Sequence, residues 1–79
     1  MKNRLLLVFE AMNHRTIHAR KYENTREIYR NMNFAVLQTL YALDAINHLQ
    51  YDNLYQKISA LECLTINDLY NMGDDNNEK

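Results

Sequence analysis

Residues 47–61 read NHLQYDNLYQKISAL and carry the clearest structural signal in the chain. From Tyr51 and Leu54 onward, the apolar residues follow one another at intervals of three and four. This repeat is typical of an α-helix with one buried face. At its beginning, Asn47 and Gln50 stand three residues apart, the spacing of a reciprocal capping box. We therefore expect an amphipathic helix that begins directly after Asn47.

The N-terminal segment has the same repeat. Residues 2–22 place Leu5, Val8 and Met12 at helical spacing. A short buried strand over residues 5–9 is the alternative, because these five residues are all apolar. That strand would need partners, and no later segment alternates with a period of two. The pattern therefore favours a helix.

A second helix is expected in the middle of the chain. Asn24 is its predicted N-cap, with Glu27 three residues later to complete a capping box. The helix should run to about Ala45. Asn31 and Asn33 leave its continuity open, because short amide side chains compete for backbone hydrogen bonds.

The C-terminal part predicts a short last helix and a tail. Thr65 opens this helix, with Asp68 three residues later, and Gly73 supplies a C-terminal stop. The expected fold class is therefore all-α: a small single domain of three to four helices over residues 1–73, with a helical hairpin at its core. Residues 74–79 contain no apolar side chain and should form a disordered acidic tail.

The composition excludes several other classes of protein. With one glycine and no proline, the chain lacks the turn residues of an all-β domain. A single cysteine, Cys63, allows neither an internal disulfide nor by itself a structural zinc site. The longest apolar run is too short to span a membrane, and no signal-peptide cleavage site follows it. We expect a cytoplasmic protein without a membrane partner.

Residues 37–61 resemble the SHOCT domain, a short helical hairpin. Leucines at helical spacing lead into Ile46-Asn47, then into Gln50-Tyr51 and a second amphipathic helix. The sequence departs from that family's pattern at Ala45, where a glycine is usual, and at both capping residues. The leucines and lysine that carry the resemblance are Leu37, Leu40, Leu43, Leu54, Lys57 and Leu61. The resemblance implies a role in oligomerisation or interaction and no catalysis.

The sequence offers no convincing catalytic, cofactor-binding or metal site. A catalytic Cys63 would need a base and an oxyanion site, and there is no glycine-rich segment to build one. Glu10, His14 and His18 recur every four residues along one helical stripe, where a metal is conceivable for adjacent members. Exposed histidines beside a helical glutamate are the simpler interpretation. We expect no enzyme, no cofactor and no small-molecule substrate.

Helix-mediated interaction is the predicted function. A core of this size rarely supplies more than about 3–5 kcal/mol, and the remaining means of stabilisation is assembly. We expect a homodimer or a complex with a protein partner, in the manner of a small regulator or inhibitor from a phage or other mobile element. The expected interface consists of Leu5, Val8, Phe9, Met12, Phe34, Tyr41, Tyr51 and Tyr55.

A nucleic-acid-binding regulator is the alternative. Residues 1–30 contain seven basic and three acidic side chains, whereas residues 31–79 contain two basic and seven acidic ones. Five basic side chains in residues 15–30 are interspersed with Tyr22 and Tyr29, as in surfaces that contact phosphates and stack on bases. The five are Arg15, Arg20, Lys21, Arg26 and Arg30. The same asymmetry is typical of two halves that attract each other, or of a solvated helix in which Glu27 pairs with Arg30.

Overall fold

The computed structural model describes residues 4–69, and these residues contain helices and no strand. The helices are α1 (Arg4–Lys21), α2 (Arg26–Ala42) and α3 (His48–Ser59), with a 3-10 turn at Glu23–Thr25 and a last helical segment at residues 66–69. The all-α prediction is confirmed. The predicted stop at Gly73 and the predicted tail lie outside the described residues.

Helix α2 lies between α1 and α3 and packs against both. Short connections make each neighbouring pair antiparallel. Apolar side chains from all three helices, and from the segment that follows α3, meet in one core. Its buried members are Phe9, Met12, Leu37, Leu40, Ile46, Leu54, Ile58, Leu64 and Leu69. Burial of this shared core holds the helical hairpin of α2 and α3 against α1.

The predicted capping box at Asn24 is wrong. Residues 23–25 form the 3-10 turn, α2 begins at Arg26, and Thr25 occupies the N-cap position without a side-chain capping bond. The Thr25 hydroxyl instead donates to the carbonyl of Tyr22, 2.9 Å away. The tight turn between α1 and α2 therefore takes the residues that the local pattern assigned to a cap.

Helix α2 is continuous through Asn31 and Asn33. Asn33 does not compete for its own helix, because its side chain crosses to α1. Its amide nitrogen donates to the carbonyl of Met12 at 3.0 Å and to the hydroxyl of Thr16 at 3.2 Å. A buried amide with such partners ties two helices together instead of breaking one.

Helices α2 and α3 end in the same way, each on a residue other than glycine in the left-handed region. Asp44 has φ 62° and Leu61 has φ 60°. After α2, the N–H of Ala45 donates to the carbonyl of Leu40 at 2.9 Å, which is the long bond of a Schellman motif. Helix α2 therefore stops at Ala42, three residues before the expected end.

The predicted start of α3 and of the last helical segment is confirmed. The Gln50 N–H donates to Asn47 Oδ1 at 2.8 Å, and the Asn47 N–H donates to Gln50 Oε1 at 2.7 Å. The Thr65 N–H donates to Asp68 Oδ2 at 2.8 Å. Asp68, which is buried, also pairs with the Lys57 ammonium at 2.9 Å. This ion pair fixes the last helical segment on α3.

Candidate interaction surfaces

Two of the predicted interface residues belong to the core. Phe9 and Met12 are each only 1% exposed, so they cannot contact a partner, and this part of the prediction is wrong. The helical stripe that suggested them is the face of α1 that covers α2. Leu5 and Val8, on the same face, are half-buried against the core. Helix α1 therefore uses its main apolar stripe within the molecule.

The other four predicted residues come together on the outside of the α2–α3 hairpin. Phe34 stacks on Tyr55 with a centroid separation of 4.7 Å and an interplanar angle of 23°. Tyr55 lies 6.1 Å from Tyr51, and Tyr51 lies 5.0 Å from Tyr41. We call these four rings the aromatic cluster. They form one continuous row.

The helical register explains the aromatic cluster. Phe34 and Tyr41 are seven residues apart on α2, and Tyr51 and Tyr55 are four apart on α3, so each pair lies on one face of its helix. The antiparallel hairpin then brings the two faces side by side. Tyr41 remains 42% exposed and Tyr55 44% exposed, whereas Phe34 and Tyr51 are half-buried.

The opposite edge of α2 carries an apolar stripe that the sequence reasoning did not assign to an interface. Ile28 is 60% exposed, Met32 43% and Leu43 71%. Ile28 and Met32 are four residues apart and lie on one side of the helix, and Leu43 directly follows its last residue. The signal was present in that spacing, but the stronger pattern of the buried face obscured it.

Three arginines of the basic segment donate hydrogen bonds to backbone carbonyls at the ends of helices. Arg26 Nε donates to the carbonyl of Ala19 at 2.9 Å, near the end of α1. Arg30 Nη1 donates to the carbonyl of Ser59 at 2.9 Å, and Arg20 Nε donates to that of Leu61 at 2.7 Å, both at the end of α3. Guanidinium groups at these positions satisfy carbonyls that the helix leaves free and favourably oppose its dipole.

The remaining basic side chains of the segment lie apart from these helix ends. Arg15 Nη1 donates to Asn33 Oδ1 at 3.1 Å, and Lys21 is exposed at the end of α1. Four of the five basic side chains therefore donate hydrogen bonds within the chain, and Lys21 is exposed.

An open cleft of about 370 Å³ lies between α1 and the first half of α2. It is lined by His14, Arg15, His18, Tyr29 and Met32. The two histidines that the sequence placed on one stripe thus share this cleft, while Glu10 does not line it. Within residues 4–69, no three His, Cys, Asp or Glu side chains are grouped closely enough to hold a metal ion.

Comparison with known proteins identifies no relative. No protein-family model, curated protein or solved structure matches the chain.

Across the part of the chain that the structure describes, no helix has the length and apolar character needed to cross a bilayer. Cys63 is half-buried and is a free thiol.

Proposed function

We propose that the protein is a small non-enzymatic interaction protein that pairs with a second copy of itself through the aromatic cluster. The observation that carries this proposal is the continuous row of four rings on the α2–α3 hairpin, with Tyr41 and Tyr55 nearly half exposed. Tyrosine and phenylalanine are enriched at protein interfaces and supply much of their binding energy. The resemblance of residues 37–61 to an oligomerising hairpin supports the same class of function.

The rings are already ordered in the single chain. Each ring packs against its neighbour at a centroid separation between 4.7 and 6.1 Å. Side chains held in this way lose little conformational freedom when a partner covers them. Offset and tilted rings also present both faces and edges, which suit packing against further aromatic rings.

A patch that pairs with its own copy does so about a two-fold axis, and each end of the row carries an ion pair of its own. At the Phe34 end, Arg30 pairs with Glu27 at 3.5 Å. At the Tyr41 end, His48 pairs with Asp52 at 3.4 Å. A two-fold axis through the middle of the row would place one end of each copy over the other end of its partner. The ion pair at one end of each copy would then lie opposite the ion pair at the other end of its partner.

Measurement of molecular mass in solution tests the proposal. Sedimentation equilibrium at micromolar concentration should give a dimer for the unmodified chain. Tyr55→Ser should raise the dissociation constant at least about tenfold, because it removes an exposed ring from the centre of the row.

Tyr22→Ser is the matched control. Tyr22 is 48% exposed, close to the 44% of Tyr55, but it packs on His18 at the far end of α1. This variant should keep the dissociation constant of the unmodified chain. A monomeric unmodified chain at about 100 μM, or equal weakening by both variants, would overturn the proposal.

A further inference from the structure

The cleft between α1 and α2 is separate from the aromatic cluster and has a different chemistry. Its volume of about 370 Å³ falls at the small end of the range for small-molecule sites, roughly 300–1,000 Å³. Arg15, His14 and His18 contribute nitrogen atoms to its lining, and Tyr29 contributes a phenol. No carboxylate is among the described residues that line it.

The guanidinium of Arg15 is held in place by a buried amide. Asn33 is 1% exposed, and its amide nitrogen is already committed to Met12 and Thr16 on α1. Its oxygen therefore points in a fixed direction, and Arg15 Nη1 donates to it at 3.1 Å. A guanidinium has five N–H donors, so one bond to Asn33 leaves most of the fork for a ligand. Within residues 4–69, Arg15 has no ion-pair partner.

The ring of His18 is also fixed. It lies 4.6 Å from the ring of Tyr22 and 4.7 Å from that of Tyr29, measured between centroids. Its Nδ1 lies 3.2 Å from the hydroxyl oxygen of Thr25. The same Thr25 hydroxyl lies 2.9 Å from the Tyr22 carbonyl, so these contacts hold the ring through its Nδ1 edge. This arrangement leaves Nε2 of His18 available for a ligand.

We infer that this cleft binds the phosphate group of a small ligand. The planar fork of Arg15 matches two oxygens of a phosphate, and its charge is permanent. The imidazoles of His14 and His18 add donors and positive charge when they are protonated. The nearest acidic groups by sequence lie elsewhere: Glu10 is outside the lining, and Glu27 pairs with Arg30 at 3.5 Å.

A divalent metal ion fits the same cleft less well. Two histidines four residues apart are adjacent on the helix, but a stable site needs further ligands. The described residues provide no third His, Cys, Asp or Glu within reach. The fixed positive charge of Arg15 would also repel a cation. The donors of the cleft are therefore suited to an anion.

Proton NMR of the histidine rings tests the inference on the full chain. The chain has three histidines, and His48, on α3 beside Asp52, is an internal reference. At constant pH and ionic strength, inorganic phosphate should shift the His14 and His18 resonances in a saturable manner and leave His48 unchanged. O-phosphoserine, a phosphate ester, is titrated in parallel. The titrant with the lower dissociation constant shows whether the cleft prefers a phosphate ester or the free phosphate ion. Shifts no larger than those produced by chloride, or equal shifts at His48, would overturn the inference.

Variants of two residues that line the cleft test whether phosphate binds there. Arg15→Gln should weaken phosphate binding at least about tenfold, whereas Lys21→Gln, which alters an exposed neighbouring cation, should change it less than about twofold. Because Arg15→Gln also loses a bond to Asn33, the exposed His14→Asn is the second variant, with an expected loss of at least about threefold. Unchanged binding in both cleft variants, or equal loss with Lys21→Gln, would contradict the inference. Tyr55→Ser, which lies outside the cleft, should bind phosphate as the unmodified chain does. A failure of this inference can therefore be distinguished from a failure of the proposed dimer.

Discussion

The side-chain amide of Asn13 pairs with both backbone polar groups of Leu64, 51 residues away in the chain. Asn13 Nδ2 donates to the Leu64 carbonyl at 2.9 Å, and the Leu64 N–H donates to Asn13 Oδ1 at 2.7 Å. The side-chain amide of asparagine has the same donor and acceptor as a backbone amide. Asn13 therefore makes the two hydrogen bonds that a neighbouring backbone would otherwise make to Leu64. The buried Leu64 thus enters the core without leaving a backbone group unpaired.

Removing this amide should loosen the C-terminal segment. Asn13→Ala leaves the N–H and the carbonyl of the buried Leu64 without protein partners, which should lower the free energy of unfolding by about 1–3 kcal/mol. Urea denaturation followed by circular dichroism measures the change. Asn31→Ala is the control, because Asn31 is exposed on α2, where alanine is a better helix former. Equal losses in the two variants would mean that the Asn13–Leu64 pair contributes nothing specific.

The two predicted N-caps should behave differently on mutation. Asn47 makes a complete capping box with Gln50, so Asn47→Ala should cost about 1 kcal/mol of unfolding free energy. Asn24 is exposed within the 3-10 turn and caps no helix, so Asn24→Ala should change stability by less than about 0.5 kcal/mol. Thermal denaturation of both variants provides the comparison. A larger loss for Asn24→Ala would contradict the described turn.

The end of α2 can be improved by a glycine. Asp44 has φ 62° and is exposed, so its side chain costs conformational energy and makes little contact. Asp44→Gly should raise the free energy of unfolding by about 0.5–1 kcal/mol, since glycine adopts this conformation without steric cost. Asp44→Ala, which keeps a Cβ and loses the local polar group, should lower it. Chemical denaturation distinguishes the two outcomes, and a stabilising alanine would mean that Asp44 is not left-handed in solution.

The role of the basic segment is testable through Arg30. Its bond to the Ser59 carbonyl spans 29 residues and closes the end of α3. Arg30→Gln should therefore lower the free energy of unfolding by about 1 kcal/mol. Lys21→Gln, at an exposed position, should change it by less than about 0.5 kcal/mol. Equal free energies of unfolding for the two variants would mean that the bond between Arg30 and Ser59 adds no measurable stability.

Local patterns were sufficient for the helices and for two of the three predicted helix starts, at Asn47 and Thr65. The interval of three and four from Tyr51 onward, and the Asn47–Gln50 pair, depend on atoms within one turn of each other. They predicted α3 and its first residue correctly. The same reasoning failed at Asn24, because a 3-10 turn occupies residues 23–25 and moves the start of α2 to Arg26.

The candidate surfaces were predictable only in part. The periodicity identified Phe34, Tyr41, Tyr51 and Tyr55 as apolar positions, but only the antiparallel hairpin assembled them into one row. Phe9 and Met12 carried the same signal and were buried instead. A helical stripe indicates that a face is covered, and it does not indicate whether another helix of the same chain or a separate partner covers it.

The amino-acid sequence alone determined the helical class and the approximate extent of the helices, because these depend on composition and near neighbours. Tertiary structure decided which stripes are buried, how the arginines are used and where Arg15 meets the two histidines. Apart from the bond between Arg26 and Ala19, which spans seven residues, those features rest on partners 18 to 51 residues apart, such as Asn33 with Arg15 and Asn13 with Leu64. Such pairs form only when packing of the apolar core brings distant helices into contact.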